Sequence, residues 1–261
     1  MSKDSMLTYI VGFVHGRSDL LRELLFAIDR DARKLKEKYR VFFLGNLIDA
    51  GPDSRGALEL ALHTVGCHPG SGIVRGFHEN RLLQILDEKD DQTRMQLVMH
   101  WFKGMKGEAT LASYGLVSRP TAEGIAGVID ARHIALLRRA KRYFELDDHI
   151  IVHAGISPGV HILDQNLEPN RRADRSFVGF RGDHGKVVVY GASGRGRLVE
   201  AFPNRIAINS FGIFNLISAL RILPGGNLHA LAARGRLSRG IQIIKEDPIL
   251  EGWTRNTPAA S

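Results

Sequence analysis

The stretch Thr8–Gly16, TYIVGFVHG, decides the fold. Leu7–Val14 is rich in β-branched and aromatic residues and reads as a buried first strand. It runs into a Gly–Phe–Val–His–Gly turn, after which Ser18 is placed to cap a helix. From there Leu20, Leu21, Leu24, Leu25, Ile28, Ala32 and Leu35 keep helical spacing through Lys38. Three further segments repeat the strand-to-turn pattern: RVFFLGNLIDAGPDSRG at Arg40–Gly56, GIVRGFHE at Gly72–Glu79 and HIIVHAGI at His149–Ile156. In open α/β sheets such strand-end turns are where polar side chains gather into sites.

The order around these segments is βαβαβ, which predicts a parallel sheet with helices on its faces. Val41–Gly45 is the second strand, a helix starts at Pro52–Ser54 and runs through Leu62, Ile73–Gly76 is the third strand, and another helix covers Glu79–Leu86. Asp87–Gly115 and Ala131–Ala140 read as helical and are expected to form a cap insertion, about 87–140, beside the sheet edge. Beyond Arg142 the pattern turns to strands, with Tyr143–Leu146 and Ile150–Ala154 as a hairpin. Val187–Gly191, Arg205–Ser210, Leu216–Leu223 and Gly240–Ile244 follow, after the long polar loop Pro158–Gly185. The whole predicts an α/β fold: a two-sheet β-sandwich flanked by helices. Residues 1–246 are expected to form one domain, with 247–261 a flexible tail.

Composition narrows the setting. The 261 residues are 44% hydrophobic and 25% charged, ordinary for a globular chain with a real core. Cys67 is the single cysteine, so no internal disulfide can form. No apolar run approaches the roughly 20 residues that span a bilayer, and MSKDSMLTY lacks a signal-peptide core, so a cytoplasmic location is expected. The formal charge of +8 favours acidic partners. Nucleic acid is a poor candidate, because the basic residues are scattered and no aromatics interleave them as stacking platforms.

The turns resemble those of the calcineurin-like metallophosphoesterases, in particular the bacterial serine/threonine phosphatases of the phosphoprotein phosphatase type. That family carries GDxHG, GDxxDRG, GNHE, a later HAG and a final GH. Here GFVHG stands at 12–16, GNLIDAG at 45–51, GFHE at 76–79, HAG at 153–155 and GAS at 191–193. Five motifs in the right order over roughly Thr8–Leu220 make a specific signal, unlike a lone glycine loop.

The resemblance implies a four-layer αββα fold and, in active members, two divalent cations that activate a water and clamp phosphoryl oxygens. The ligand positions fall on Phe13, His15, Asn46, Phe77, His153 and Ala192, of which only His15 and His153 keep the family's residue. The bridging carboxylate has become the amide of Asn46. Two adjacent dications repel by about 18 kcal/mol even at an effective dielectric of about 20, and the anionic ligands that offset this are gone. No cofactor is therefore expected, the alternative being one divalent metal such as Mn or Zn held by His15 and His153. Ordinary hydrogen bonding of those two histidines is the simpler expectation.

Two other family positions are intact. His78 matches the general acid and Asp49 the residue that orients it, a sound acid/base unit that without metal has no activated nucleophile. The phosphate-gripping arginine is replaced by Ala50, and Arg175 matches a second one loosely. Arg17, Arg55 and Arg75 are read as structural, and GGNLHALAARGRLSRG at 225–240 as a solvated helix and hairpin or a basic partner-binding segment. The expectation is a pseudophosphatase that binds an acidic protein partner in a regulatory role. A weak metal-dependent phosphoesterase is the alternative.

Overall fold

A computed structural model describes residues 6–116, 122–169, 172–192, 197–210 and 215–246. The expected flexible tail at 247–261 lies outside them.

Two sheets face each other. The first contains β1 (Leu7–Val11), β2 (Tyr39–Phe43), β3 (Gly72–Ile73), β9 (Leu216–Ile222), β10 (Leu228–Arg236) and β11 (Gly240–Glu246), in the order β11-β10-β9-β1-β2-β3. The second contains β4 (Tyr143–Glu145), β5 (His149–Val152), β6 (Val187–Ala192), β7 (Val199–Phe202) and β8 (Arg205–Asn209), in the order β4-β5-β6-β8-β7. β1–β2–β3 and β5–β6–β8 pair in parallel, and the remaining neighbours are antiparallel.

The two-residue period of a strand splits β1 between two cores. Leu7, Tyr9 and Val11 face the helical layer, whereas Ile10 joins Phe42, Ile151, Val189, Ile206 and Ile208 between the sheets. The helical layer is built from α1 (Ser18–Leu35), α2 (Ser54–Cys67) and α3 (Phe77–Asp87). A third apolar cluster on the far side of the second sheet holds Ile150, Val152, Val188 and Tyr190 around Phe177. Phe177 belongs to α8 (Arg175–Gly179), the short helix inside the long 158–185 loop.

Several boundaries differ from expectation for local reasons. β1 stops at Val11, not Val14, because the N–H groups of Val14 and His15 both turn to the carbonyl of Asn46. α1 stops at Leu35 because Lys36 takes a left-handed conformation (φ 56°) and caps the carbonyls of Ala32 and Arg33. β7 went unrecognised. The alanine-rich 228–236 segment is strand β10 rather than a solvated helix: Ala230 and Ala232 pack between the sheets and Leu231 and Ala233 under the helices. Small side chains buried on both faces leave no alternation to read.

The insertion comprises α4 (Asp91–Met105), α5 (Glu108–Ser113), α6 (Ala122–Val128) and α7 (Ala131–Arg139). These helices pack on α2 and α3, and Trp101, Met105, Leu111, Leu136 and Leu137 continue the same core as α1 and β1. Among the described residues no helix is long and apolar enough to cross a membrane.

Candidate functional site

The turns that follow β1, β2, β3 and β5 converge at the C-terminal ends of their strands. Glu79 ties two of them together. Its fully buried carboxylate accepts the N–H groups of Asn46 at 2.8 Å, Leu47 at 2.6 Å and Gly76 at 3.1 Å. Burial pushes this carboxyl up from its ordinary range, against the lowering influence of His78 and of the N–H donors. Asn46 in turn offers its backbone carbonyl to Val14 and His15, and its side-chain oxygen to the N–H of His78 at 3.2 Å.

The Asp49 carboxylate is held by three side-chain donors. The residue is fully buried and held at φ 71°, a conformation disfavoured for a residue with a Cβ. Oδ2 accepts His78 Nδ1–H at 2.7 Å and the Trp101 indole N–H at 2.8 Å, while Oδ1 accepts the Thr110 hydroxyl at 2.5 Å. The Asp49 N–H bonds to the hydroxyls of Ser54 and Thr110, both at 3.0 Å. A carboxylate is acceptor-only, so His78 carries its proton on Nδ1 and Nε2 is left as the basic nitrogen. The His78 ring meets the half-buried His15 ring edge-on, with centroids 4.8 Å apart.

His153 is committed on both sides of its ring. Nδ1–H donates to the Leu44 carbonyl at 2.5 Å, and Nε2 accepts the N–H of Phe77 at 3.2 Å. Burial, with a smaller push from His78, lowers its pKa from 6.5 to about 4 despite the Leu44 bond, so the ring is neutral at physiological pH.

Phe13 is 3% exposed, and its ring lies 4.9 Å from that of His153. It also fills the space over Gly191, where an added Cβ would fall 2.2 Å from the Phe13 ring edge. Phe77, the first residue of α3, is half-buried and 5.9 Å from the His78 ring. Ala192 ends β6 beside Asn209, and residues 193–196 lie outside the described residues.

The arginines divide. Arg17 grips Asp19 with Nε and Nη2 at 2.7 and 2.6 Å, and also bonds Asn215 and the Gly235 carbonyl. Arg75 bonds the carbonyls of Arg138 and Ala140. Both are structural. Arg175 is exposed on α8 and does not line the nearby cavity of about 260 Å³, which His153, Gly155, Ser157, Asn166, Glu168 and Arg172 help to form. A second cavity, of about 460 Å³, opens at Ala50.

Sequence reasoning brought together Phe13, His15, Asn46, Asp49, Phe77, His78 and His153. It gave no role to Glu79, and it missed Ser54, Trp101 and Thr110. The tryptophan in the helical stretch was the available signal, since a buried indole N–H seeks an acceptor. Among the described residues no three His, Cys, Asp or Glu side chains are grouped to hold a metal ion.

No family model matches the sequence, and no curated protein matches it. Solved structures do. A protein provisionally described as a diadenosine tetraphosphatase is similar over 94% of this chain and 96% of its own, at 18% identity and a TM-score of 0.55. A Saccharomyces cerevisiae serine/threonine phosphatase with similarity to human PP5 is similar over 95% of this chain and 82% of its own, at 12% identity and a TM-score of 0.51. A mutant cold-active protein tyrosine phosphatase is similar over 86% of this chain and 80% of its own, at 14% identity and a TM-score of 0.50. At such identities the likeness is one of architecture, and it agrees with the two facing sheets, the outer helices and the converging strand-end turns: the chain has the calcineurin-like metallophosphoesterase fold.

Proposed function

We propose that this protein is a pseudophosphatase, a metallophosphoesterase fold that binds an acidic protein partner in a regulatory role and does not hydrolyse phosphoesters. The occupied ring of His153 carries the reading. A metal needs a free imidazole lone pair, and Nε2 already accepts from Phe77 while Nδ1 donates to Leu44. Asn46 spends its carboxamide oxygen on His78. The remaining vacated positions are hydrocarbon: Phe13, Phe77 and Ala192. This donor set does not fit two divalent cations, nor a single Mn or Zn ion on His15 and His153, so no cofactor is assigned.

A weak phosphoesterase remains the alternative because of one observation, the intact 2.7 Å Asp49–His78 pair. On the preferred reading that pair fixes the turn after β2 against α3. Purified protein with added manganese separates the two. No hydrolysis of an aryl phosphate above a His78→Ala control supports the pseudophosphatase, and manganese-dependent turnover lost in that variant overturns it.

A further inference from the structure

The cavity that opens at Ala50 lies between the end of α4 and the turn joining β10 to β11. Arg17, Asp19, Lys106, Asn215, Arg236 and Ser238 line it, together with the Ala50–Pro52 turn. Its charge is uneven. Arg17 is neutralised by Asp19, but Lys106 and Arg236 are exposed and have no carboxylate within ion-pair distance among the described residues. Arg234, two residues before Arg236 in β10, and Arg239, in the β10–β11 turn, are also exposed and also without an acidic partner among the described residues. Two unpaired cations thus stand at the opening, Lys106 from the end of α4 and Arg236 from the basic 225–240 segment, and Arg234 and Arg239 of that segment add positive charge within three residues of Arg236.

The backbone argues against a lone oxyanion here. Phosphate cradles rely on free N–H groups. In this turn the Ala50 N–H is bonded to the Lys106 carbonyl and the Gly51 N–H to the Asp49 carbonyl. Recognition must come from side chains, and about 460 Å³ is far more than one phosphate fills. A planar guanidinium offers a fork to a carboxylate, and a lysine beside it supplies a point charge for a second.

We infer that this cavity and the β10–β11 turn form the docking site for an acidic peptide segment, two of whose Asp or Glu carboxylates meet Lys106 and Arg236. The inference deepens the proposed function by giving the acidic partner a location.

The test is fluorescence anisotropy of a labelled hexaglutamate peptide with the full chain at low salt. Saturable binding is expected, weakened about tenfold by Lys106→Asn with Arg236→Gln, asparagine being chosen because Lys106 has φ 58°. Arg234→Gln with Arg239→Gln, farther from the cavity, should weaken binding less. A control pair on α1, Arg30→Gln with Arg33→Gln, should leave it unchanged. Inorganic phosphate at millimolar concentration should compete no better than chloride at equal ionic strength. Absence of saturable binding, equal weakening by the control pair, or specific competition by phosphate each overturns the site. If the double variant's thermal midpoint falls, Arg236→Glu alone serves, with the same loss expected. Phosphatase turnover would sink the functional reading and leave this site standing, so the two failures are distinguishable.

Discussion

Trp101 donates its indole N–H to Asp49 Oδ2 across 2.8 Å, although the two residues are 52 positions apart and belong to the insertion and to the turn after β2. The contact makes the insertion part of the site's foundation. Thr110 adds a second bond to the same carboxylate, and the Lys106 carbonyl accepts from Ala50 N–H at 3.3 Å. At the end of α4, Gly107 lets the chain pass the indole, since a Cβ there would lie 2.2 Å from the ring. The positive φ of Asp49 is therefore imposed by its surroundings, with the insertion supplying part of the constraint.

Replacing Trp101 by Phe should keep most of the packing and remove the N–H. Asp49 is fully buried and would lose one of three side-chain donors, a loss of about 1–3 kcal/mol. Urea unfolding measures it. Thr110→Val should cost a similar amount. The double variant should cost less than the sum if Asp49 relaxes once its first donor is gone.

The strands were legible in their β-branched and aromatic runs, and the turn residues through the resemblance of five ordered motifs to those of the metallophosphoesterases. The resemblance paired Asp49 with His78, and the two meet at 2.7 Å. Trp101 and Thr110 could not, because nothing in a polar helical insertion says which neighbour it reaches. The tautomer of His153 was equally hidden. Its partners are the Leu44 carbonyl and the Phe77 N–H, and backbone groups leave no mark in a side-chain pattern. β10 was lost for a different reason, since alanines buried on both faces of a strand mimic helix composition.

His153 predicts a pH dependence with a definite sign. Its folded pKa is about 4 against an ordinary 6.5, so between these values the unfolded chain binds the extra proton. Stability from this residue is complete above about pH 6.5 and falls as pH drops towards 4, by about 3 kcal/mol in all. Chemical denaturation at pH 7.5 and pH 4.5 should show the fall. In His153→Gln, which cannot titrate, this part of the slope should vanish even though the protein is less stable at pH 7.5. An unchanged slope would mean that the ring is not buried neutral.

Phe13 and Gly191 should behave as a coupled pair. Gly191→Ala drives a methyl group to within 2.2 Å of the phenyl ring and should destabilise by about 1–3 kcal/mol. Phe13→Leu alone should also destabilise, by loss of packing between the sheets. Combined, the two should cost clearly less than their sum, because the smaller side chain admits the new methyl. Simple additivity in thermal or urea unfolding would place Phe13 elsewhere.

The ligand set that the resemblance assigns can be built into this chain. Phe13→Asp, Asn46→Asp, Phe77→Asn and Ala192→His together return the carboxylates, amide and imidazole that the resemblance assigns to a binuclear centre. Manganese titration of the four-fold variant by calorimetry should then show binding that the parent chain lacks, provided His153 gives up the Phe77 N–H at 3.2 Å. That bond is the hinge of the outcome. Breaking it strands a backbone N–H at the start of α3, at a cost of about 1–3 kcal/mol that metal coordination must exceed. The three-fold variant that leaves Phe77 in place should bind at most weakly, since its phenyl ring adjoins the site and brings no ligand atom. Equal manganese binding by the parent chain would show instead that His15 and His153 hold the ion without these changes.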